Sequence, residues 1–241
     1  MRGFVLALVL VISASCFVLI QAGLADASPL LFASLRLLLA GAVLFLVLYL
    51  RHQPLFPARH HWPTLVVLAL VASATAYGAM FVSPRLAGAG IAVVVGNLQP
   101  LLVLLLAVPL LGEHLTWSKS LALTLGVAGV SLLAFPTLQS PKGGGFAGFV
   151  LALLSALGFA LGSVLMKRLE PGRFLVTLTA WQLFLGGSLL GSAAWWLEPT
   201  WLRLTPTFAL TLVTLALFGT AFVTAAWYWL LQSEEVGRLS Q

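Results

Sequence analysis

GFVLAL, from Gly3 to Leu8, returns unchanged from Gly148 to Leu153, 145 residues further on. Six consecutive identities stand out even in a Leu-rich chain and mark an internal duplication. The same offset pairs Leu24 with Leu169, Leu38 with Leu183, Gly41 with Gly186 and Leu44 with Leu189, while Arg36 falls opposite Trp181. Both copies open apolar segments. A helix rising 1.5 Å per residue needs about 20 apolar residues to cross a hydrocarbon core of ~30 Å. Eight segments qualify, at residues 4–20, 30–50, 62–82, 88–111, 117–135, 146–166, 174–197 and 206–231. Pro29, Pro54, Pro57, Pro84, Gly112, Pro136, Pro141, the Gly143 to Gly145 run, Pro171, Gly172 and Pro199 punctuate them. Helices are the expected form, because lipid leaves no backbone polar group unpaired, and the apolar/polar alternation of a barrel is missing.

The expected fold class is therefore all-α: a polytopic membrane protein of about eight transmembrane helices. Five spans separate the two copies of GFVLAL, so the second copy enters the bilayer from the opposite face. This is an inverted repeat, the arrangement that places a solute near the midplane between two halves. The first repeat occupies residues 1–140 with five spans, and the second residues 146–241 with three. Gln241 corresponds by the offset to about Gly96. The expectation is a ten-helix protein short of its last two helices, with a native eight-helix chain as the alternative.

Composition agrees with a lipid solvent. Of 241 residues, 61% are hydrophobic and 7% charged, against ~45–50% and ~25% in soluble domains. Neither a water-soluble nor a disordered chain has that balance. The net charge of +6 is spread thinly over short loops, so the bilayer rather than nucleic acid is the expected partner. With a cytoplasmic N-terminus, eight of the twelve bases fall on inner segments and three on outer ones, leaving Arg36 inside a span. The positive-inside rule thus predicts both chain ends in the cytoplasm, in the cell (inner) membrane. Trp62, Trp117, Trp195, Trp196 and the Trp227-Tyr228-Trp229 cluster fall near the expected interfaces and read as anchors. Arg2 and the apolar stretch after it imitate a signal peptide, but the same opening recurs in mid-chain, which argues against one. Cys16 is the single cysteine, so no intrachain disulfide forms.

From Gly96 to Phe135 the chain reads GNLQPLLVLLLAVPLLGEHLTWSKSLALTLGVAGVSLLAF. A mid-helix proline (Pro100), a Gly-Glu pair at the helix end (Gly112, Glu113) and glycines along the next helix (Gly126, Gly129) resemble the EamA-type domain of the drug/metabolite transporter superfamily. LRLLLAG, from Leu35 to Gly41, is similar to that family's second helix. The resemblance covers essentially the whole chain, with the last two of ten helices missing. It implies an export or exchange carrier for small metabolites, with a cavity between the repeats. In that family the ninth helix also lines the cavity, so its absence is a departure.

Span 4 carries the densest candidate chemistry. Gly88, Ala92 and Gly96 make a small-residue stripe suited to close helix approach. Pro100 has no N–H for the carbonyl of Gly96, and Asn97 and Gln99 flank that defect. Facing a wet cavity, these groups bind a polar solute; facing protein, they make a packed kink. Arg36 is the one ionised residue well inside a span, and no carboxylate lies at matching depth in another. It serves either to attract an anionic or zwitterionic solute or, as the favoured reading, to snorkel outward or pair with carbonyls at a helix C-terminus. Glu113, before Thr116 as expected N-cap of span 5, reads as a cap or a partner of Lys119 ahead of a proton-coupling role. Ser13, Ser15, Gln21, Ser73, Thr75, Tyr77, Gln182 and Thr224 are the polar residues available to a path, though hydroxyls most often bond their own helix. The glycine pairs Gly158/Gly162 and Gly187/Gly191 read as helix contacts.

The first helix lacks the buried glutamate on which the small four-helix multidrug exporters of the same superfamily rely to bind cations and protons. The expected solute is accordingly neutral, zwitterionic or anionic rather than cationic. His52, His60, His61 and His114 lie in short loops without HExxH spacing, so neither metal nor cofactor is expected. No catalytic residues are assigned: a nucleophile-base pair or paired carboxylates within the membrane cannot be assembled. The expected function is a secondary transporter, exporter or exchanger, of small organic metabolites by alternating access, and not an enzyme. The alternatives are a non-transporting or partner-dependent membrane subunit and, further behind, an intramembrane transferase. Oligomeric state is left open, a homodimer included.

Overall fold

The computed structural model describes residues 2–114, 117–138 and 145–233. The readings placed on Thr116, on Pro141 and on Gly143 and Gly144 lie outside the described residues. Eight apolar helices follow one another: α1 (Arg2–Gly23), α2 (Pro29–Leu50), α3 (Arg59–Ala87), α4 (Ala89–Leu111), α5 (Trp117–Leu138), α6 (Gly145–Arg168), α7 (Gly172–Leu197) and α8 (Pro206–Leu231). Among the described residues six are long and apolar enough to cross a membrane, while α1 and α5 hold the shorter apolar stretches Ala7–Gly23 and Lys119–Leu132. Among the described residues the only β contact is the isolated bridge between Ala27 and Leu202. The chain is an all-α, multi-pass membrane protein.

The helix ends follow from backbone chemistry. Ser28 is extended and Pro29 opens α2, the position where a missing N–H costs nothing. The next free donors, Leu30 N and Leu31 N, both donate to Glu198 Oε1 from the end of α7, at 2.9 and 3.1 Å. A carboxylate there satisfies two orphan amides and the positive end of the helix dipole. Gly112 closes α4 at φ +69°, a left-handed conformation that glycine adopts without penalty.

Two boundaries differ from expectation. Pro84 does not end α3 but lies buried in its last turn; the chain reverses at Gly88, φ +83°, where a residue without Cβ is available. The fourth span is not one kinked helix. It is split into Ala89–Gly96 and Gln99–Leu111, with Leu98 N bonded to Val95 O at 3.0 Å in the tight turn between. Pro100 thereby stands in the first turn of a new helix instead of inside an old one, which removes its steric clash.

The most extensive helix contact is between α2 and α7, the two helices that the 145-residue offset pairs. Their backbones meet at glycines: an ideal Cβ on Gly41 would lie 3.1 Å from Phe184 N, and one on Gly187 3.0 Å from Leu38 N. Ser34 Oγ adds a bond of 2.8 Å to Gly187 O. α3 and α6 cross in the same manner, Gly158 lying against Ala76 and the carbonyl of Val71, Gly162 against Ala72 and Gly148 against Ala87. Gly88, by contrast, contacts nothing at its Cβ position, so the Gly88/Ala92/Gly96 stripe is not a helix crossing along its whole length.

At one end of the bundle the α1–α2 turn and the α7–α8 loop are knitted together. Ser28 N donates to Trp201 O at 3.1 Å, Arg203 N to Asp26 O at 2.8 Å, and Thr205 Oγ1 to Asp26 Oδ2 at 2.7 Å.

Candidate functional site

Both α3 and α8 contain a π-helical stretch, Ala69–Thr75 and Leu215–Phe222. A wider turn shifts the hydrogen-bond register and leaves backbone oxygens available to side chains, which is why such turns gather at functional sites. Between these stretches lies a cavity of about 160 Å³. Its walls come from α1, α2, α3, α4, α6, α7 and α8, so both repeats contribute. Gly96, Asn97, Gln99, Pro100, Arg36, Tyr77 and Gln182 all line it. Ser13 and Thr224 line it too; Ser15, Gln21, Ser73 and Thr75 do not. Ser15 Oγ donates to Val11 O within its own helix.

Asn97 is exposed to the cavity at the break in α4. Arg36 is 1% exposed. Its Nε donates to Thr220 Oγ1 at 2.6 Å and its Nη2 to Gly219 O at 3.0 Å, with Cys16 Sγ 3.9 Å away. Thr220 can accept because its own proton goes to Leu215 O at 3.1 Å. The guanidinium lies 5.4 Å from the centre of the Tyr77 ring and 5.7 Å from that of Phe81, within cation–π range. Arg36 therefore neither snorkels nor reaches a helix C-terminus. It pairs with a mid-helix carbonyl that the π turn of α8 exposes. Its Nη1 is buried without a hydrogen-bond partner, and no Asp or Glu is among the described lining residues.

On the other wall, Gln182 Nε2 donates to Ser73 Oγ and to Tyr228 Oη, both at 3.2 Å. Trp227 Nε1 donates to Ser163 Oγ at 2.9 Å, and that hydroxyl donates to Phe159 O. Tyr228 and Trp227 both line the cavity, which corrects their reading as interface anchors. Their polar tips have partners inside the bundle, and a buried N–H or O–H must be satisfied. Trp117, Trp195 and Trp196 are exposed, as anchors are. Thr220, Gly219 and Ser163 were not singled out from the sequence; the faint signal was a Gly-Thr pair in the middle of an apolar span.

Glu113 lies outside the cavity. It sits between Lys119 (3.5 Å) and Lys167 (3.4 Å), tying the end of α4 to the start of α5 and the end of α6. Lys167 was not anticipated. Among the described residues no group of three or more His, Cys, Asp or Glu is placed to hold a metal ion.

Comparison with known proteins identifies the architecture. A model of the EamA-like transporter family matches residues 1–135 and 146–241. The chain is 30% identical over 223 residues to the uncharacterized transporter YvbV of Bacillus subtilis, covering 91% of this chain and 72% of that protein. It is 34% identical over 165 residues to Protein PecM of Dickeya dadantii, covering 67% and 52%. A solved crystal structure superposes with a TM-score of 0.79 at 18% identity, covering 99% of this chain and 82% of the other, a likeness of fold alone.

Proposed function

We propose, because this chain belongs to the EamA-like transporter family, that it is a secondary carrier moving small organic metabolites by alternating access. That it is a multi-pass membrane transporter of the drug/metabolite type follows from the family; solute, direction and mechanism are our reading. The observation that carries it is a cavity lined from residues 1–140 and from residues 146–241 alike, in which the break in α4, Arg36, Tyr77 and Gln182 converge. The solute is gripped near Asn97, Gln99 and Pro100 as the two repeats, residues 1–140 and 146–241, rock about it. With a cation already buried in its wall and no described carboxylate facing it, the cavity favours neutral, zwitterionic or anionic solutes over cationic ones. The protein resides in the inner membrane with both ends cytoplasmic. The described lining holds no His, Asp or Glu to activate Cys16 or a hydroxyl, so binding and release suit it better than catalysis.

Reconstitution tests this. Vesicles carrying the protein and preloaded in turn with amino acids, nucleosides and organic anions are expected to accelerate counterflow of at least one class over empty vesicles. Counterflow that stays at the empty-vesicle rate for every class, or product formation without net movement, rejects the carrier.

A further inference from the structure

The guanidinium of Arg36 is not neutralised. Two of its nitrogens are engaged by uncharged acceptors, the Thr220 hydroxyl and the Gly219 carbonyl, and Nη1 has none. No other described residue lining the cavity is an Asp, Glu, Lys, Arg or His. A lone positive charge, itself only 1% exposed, sets the sign of the chamber, because a surrounding of lowered dielectric strengthens its field. The rest of the lining mixes uncharged polar side chains, Asn97, Gln99, Gln182 and Ser155 among them, with apolar ones: Phe159, Met80, Val9 and Val223 offer an apolar body its contacts. A molecule that completes this chamber brings one negative group and an uncharged, apolar remainder. An ammonium on the same molecule would meet a like charge and no described carboxylate.

Resting on the carrier reading above, we propose that the solute is an organic monoanion, a carboxylate with an apolar body, and that Arg36 selects it against cations and amino acids. The carboxylate supplies the missing charge to the lining guanidinium and, when a turn of the guanidinium brings Nη1 to the cavity, its missing acceptor. Thr220 and Gly219 are positioning groups: they hold the guanidinium against the cavity wall and spend none of its charge.

Three probes sharing one phenylethyl body test this with the full chain: 3-phenylpropionate, phenethylamine and phenylalanine. Binding is measured by equilibrium dialysis on the purified protein and movement by uptake into vesicles. The anion is expected to bind ~10–100-fold more tightly than the other two, the scale of a charge-assisted hydrogen bond. Arg36→Lys should keep part of that preference and Arg36→Met should abolish it. Cys16→Asp, which sets a carboxylate beside the guanidinium, should abolish it with Arg36 still in place, and serves where Arg36→Met fails to fold. Failure of 3-phenylpropionate to bind, equal binding of phenethylamine, or an intact preference in both Arg36→Met and Cys16→Asp overturns the proposal. Preferential binding without uptake, together with counterflow at the empty-vesicle rate for every solute class, supports the anion site and rejects the carrier. Uptake of all three probes at equal rates does the reverse.

Discussion

At Asn97 the backbone has left one helical segment and not entered the next, and a side-chain amide here reaches the cavity without disturbing either. Asn97→Ala is therefore expected to lower transport about 3–10-fold, the cost of a hydrogen bond between uncharged groups, while the amount of protein inserted stays unchanged. Counterflow corrected for the level of membrane-extracted protein checks this; an unaltered rate returns Asn97 to a packed kink. Glu113 is a different kind of residue. Its carboxylate serves two lysines at the edge of the bundle, one of them, Lys119, buried. Glu113→Gln is expected to lower the melting temperature through a loss of about 1–2 kcal/mol, less than for a deeply buried pair because water reaches this end. The pH profile of transport should stay as in the parent protein. A flattened profile in Glu113→Gln would instead make this carboxylate a proton carrier.

At the scale of helices, the packing is set by where a side chain is missing. An ideal Cβ on Gly158 lies 2.8 Å both from Ala76 Cβ and from Val71 O. Gly158→Leu forces α6 away from the π stretch of α3 and is expected to cost about 1–3 kcal/mol, as overpacking does. Gly129 in α5 has open space at the same position, and Gly129→Ala should leave stability unchanged or raise it by up to ~1 kcal/mol, since alanine is the better helix former. Paired melting curves in detergent decide between them; similar losses at both positions would refute the packing argument. Much of this scale was legible beforehand. The spans declared themselves because lipid imposes composition, and the glycine pairs because close approach imposes size. The π stretches did not: in a segment apolar on every side, a change from i→i+4 to i→i+5 bonding leaves no periodic trace. Nor did the bond from Arg36 to Thr220, whose partners stand 184 residues apart. A buried guanidinium needs an acceptor, but nothing local says which helix provides it.

For the molecule as a whole, two polar bonds follow nearly the same spacing as the two copies of GFVLAL. Arg36 of α2 reaches the π stretch of α8 at Gly219, and Gln182 of α7 reaches the π stretch of α3 at Ser73. Arg36 and Gln182 are 146 residues apart, and so are Ser73 and Gly219. Each half thus sends one polar side chain from its second helix into the third helix of the other, at a spacing one residue from the GFVLAL offset. Crossed bonds of this kind fit halves inserted in either sense; it is the odd number of spans between the two copies of GFVLAL that makes the senses opposite, and this can be checked from outside. In a Cys16→Ser background, Gln53→Cys and Arg173→Cys sit in exposed turns, after the second helix of the first repeat and before the second helix of the second. An odd number of crossings separates either turn from the exposed Arg203. A membrane-impermeant maleimide added to intact cells should label Arg203→Cys and spare Gln53→Cys and Arg173→Cys until the membrane is opened. Labelling of Gln53→Cys and Arg203→Cys from the same face would instead make the halves parallel and reject the inverted repeat.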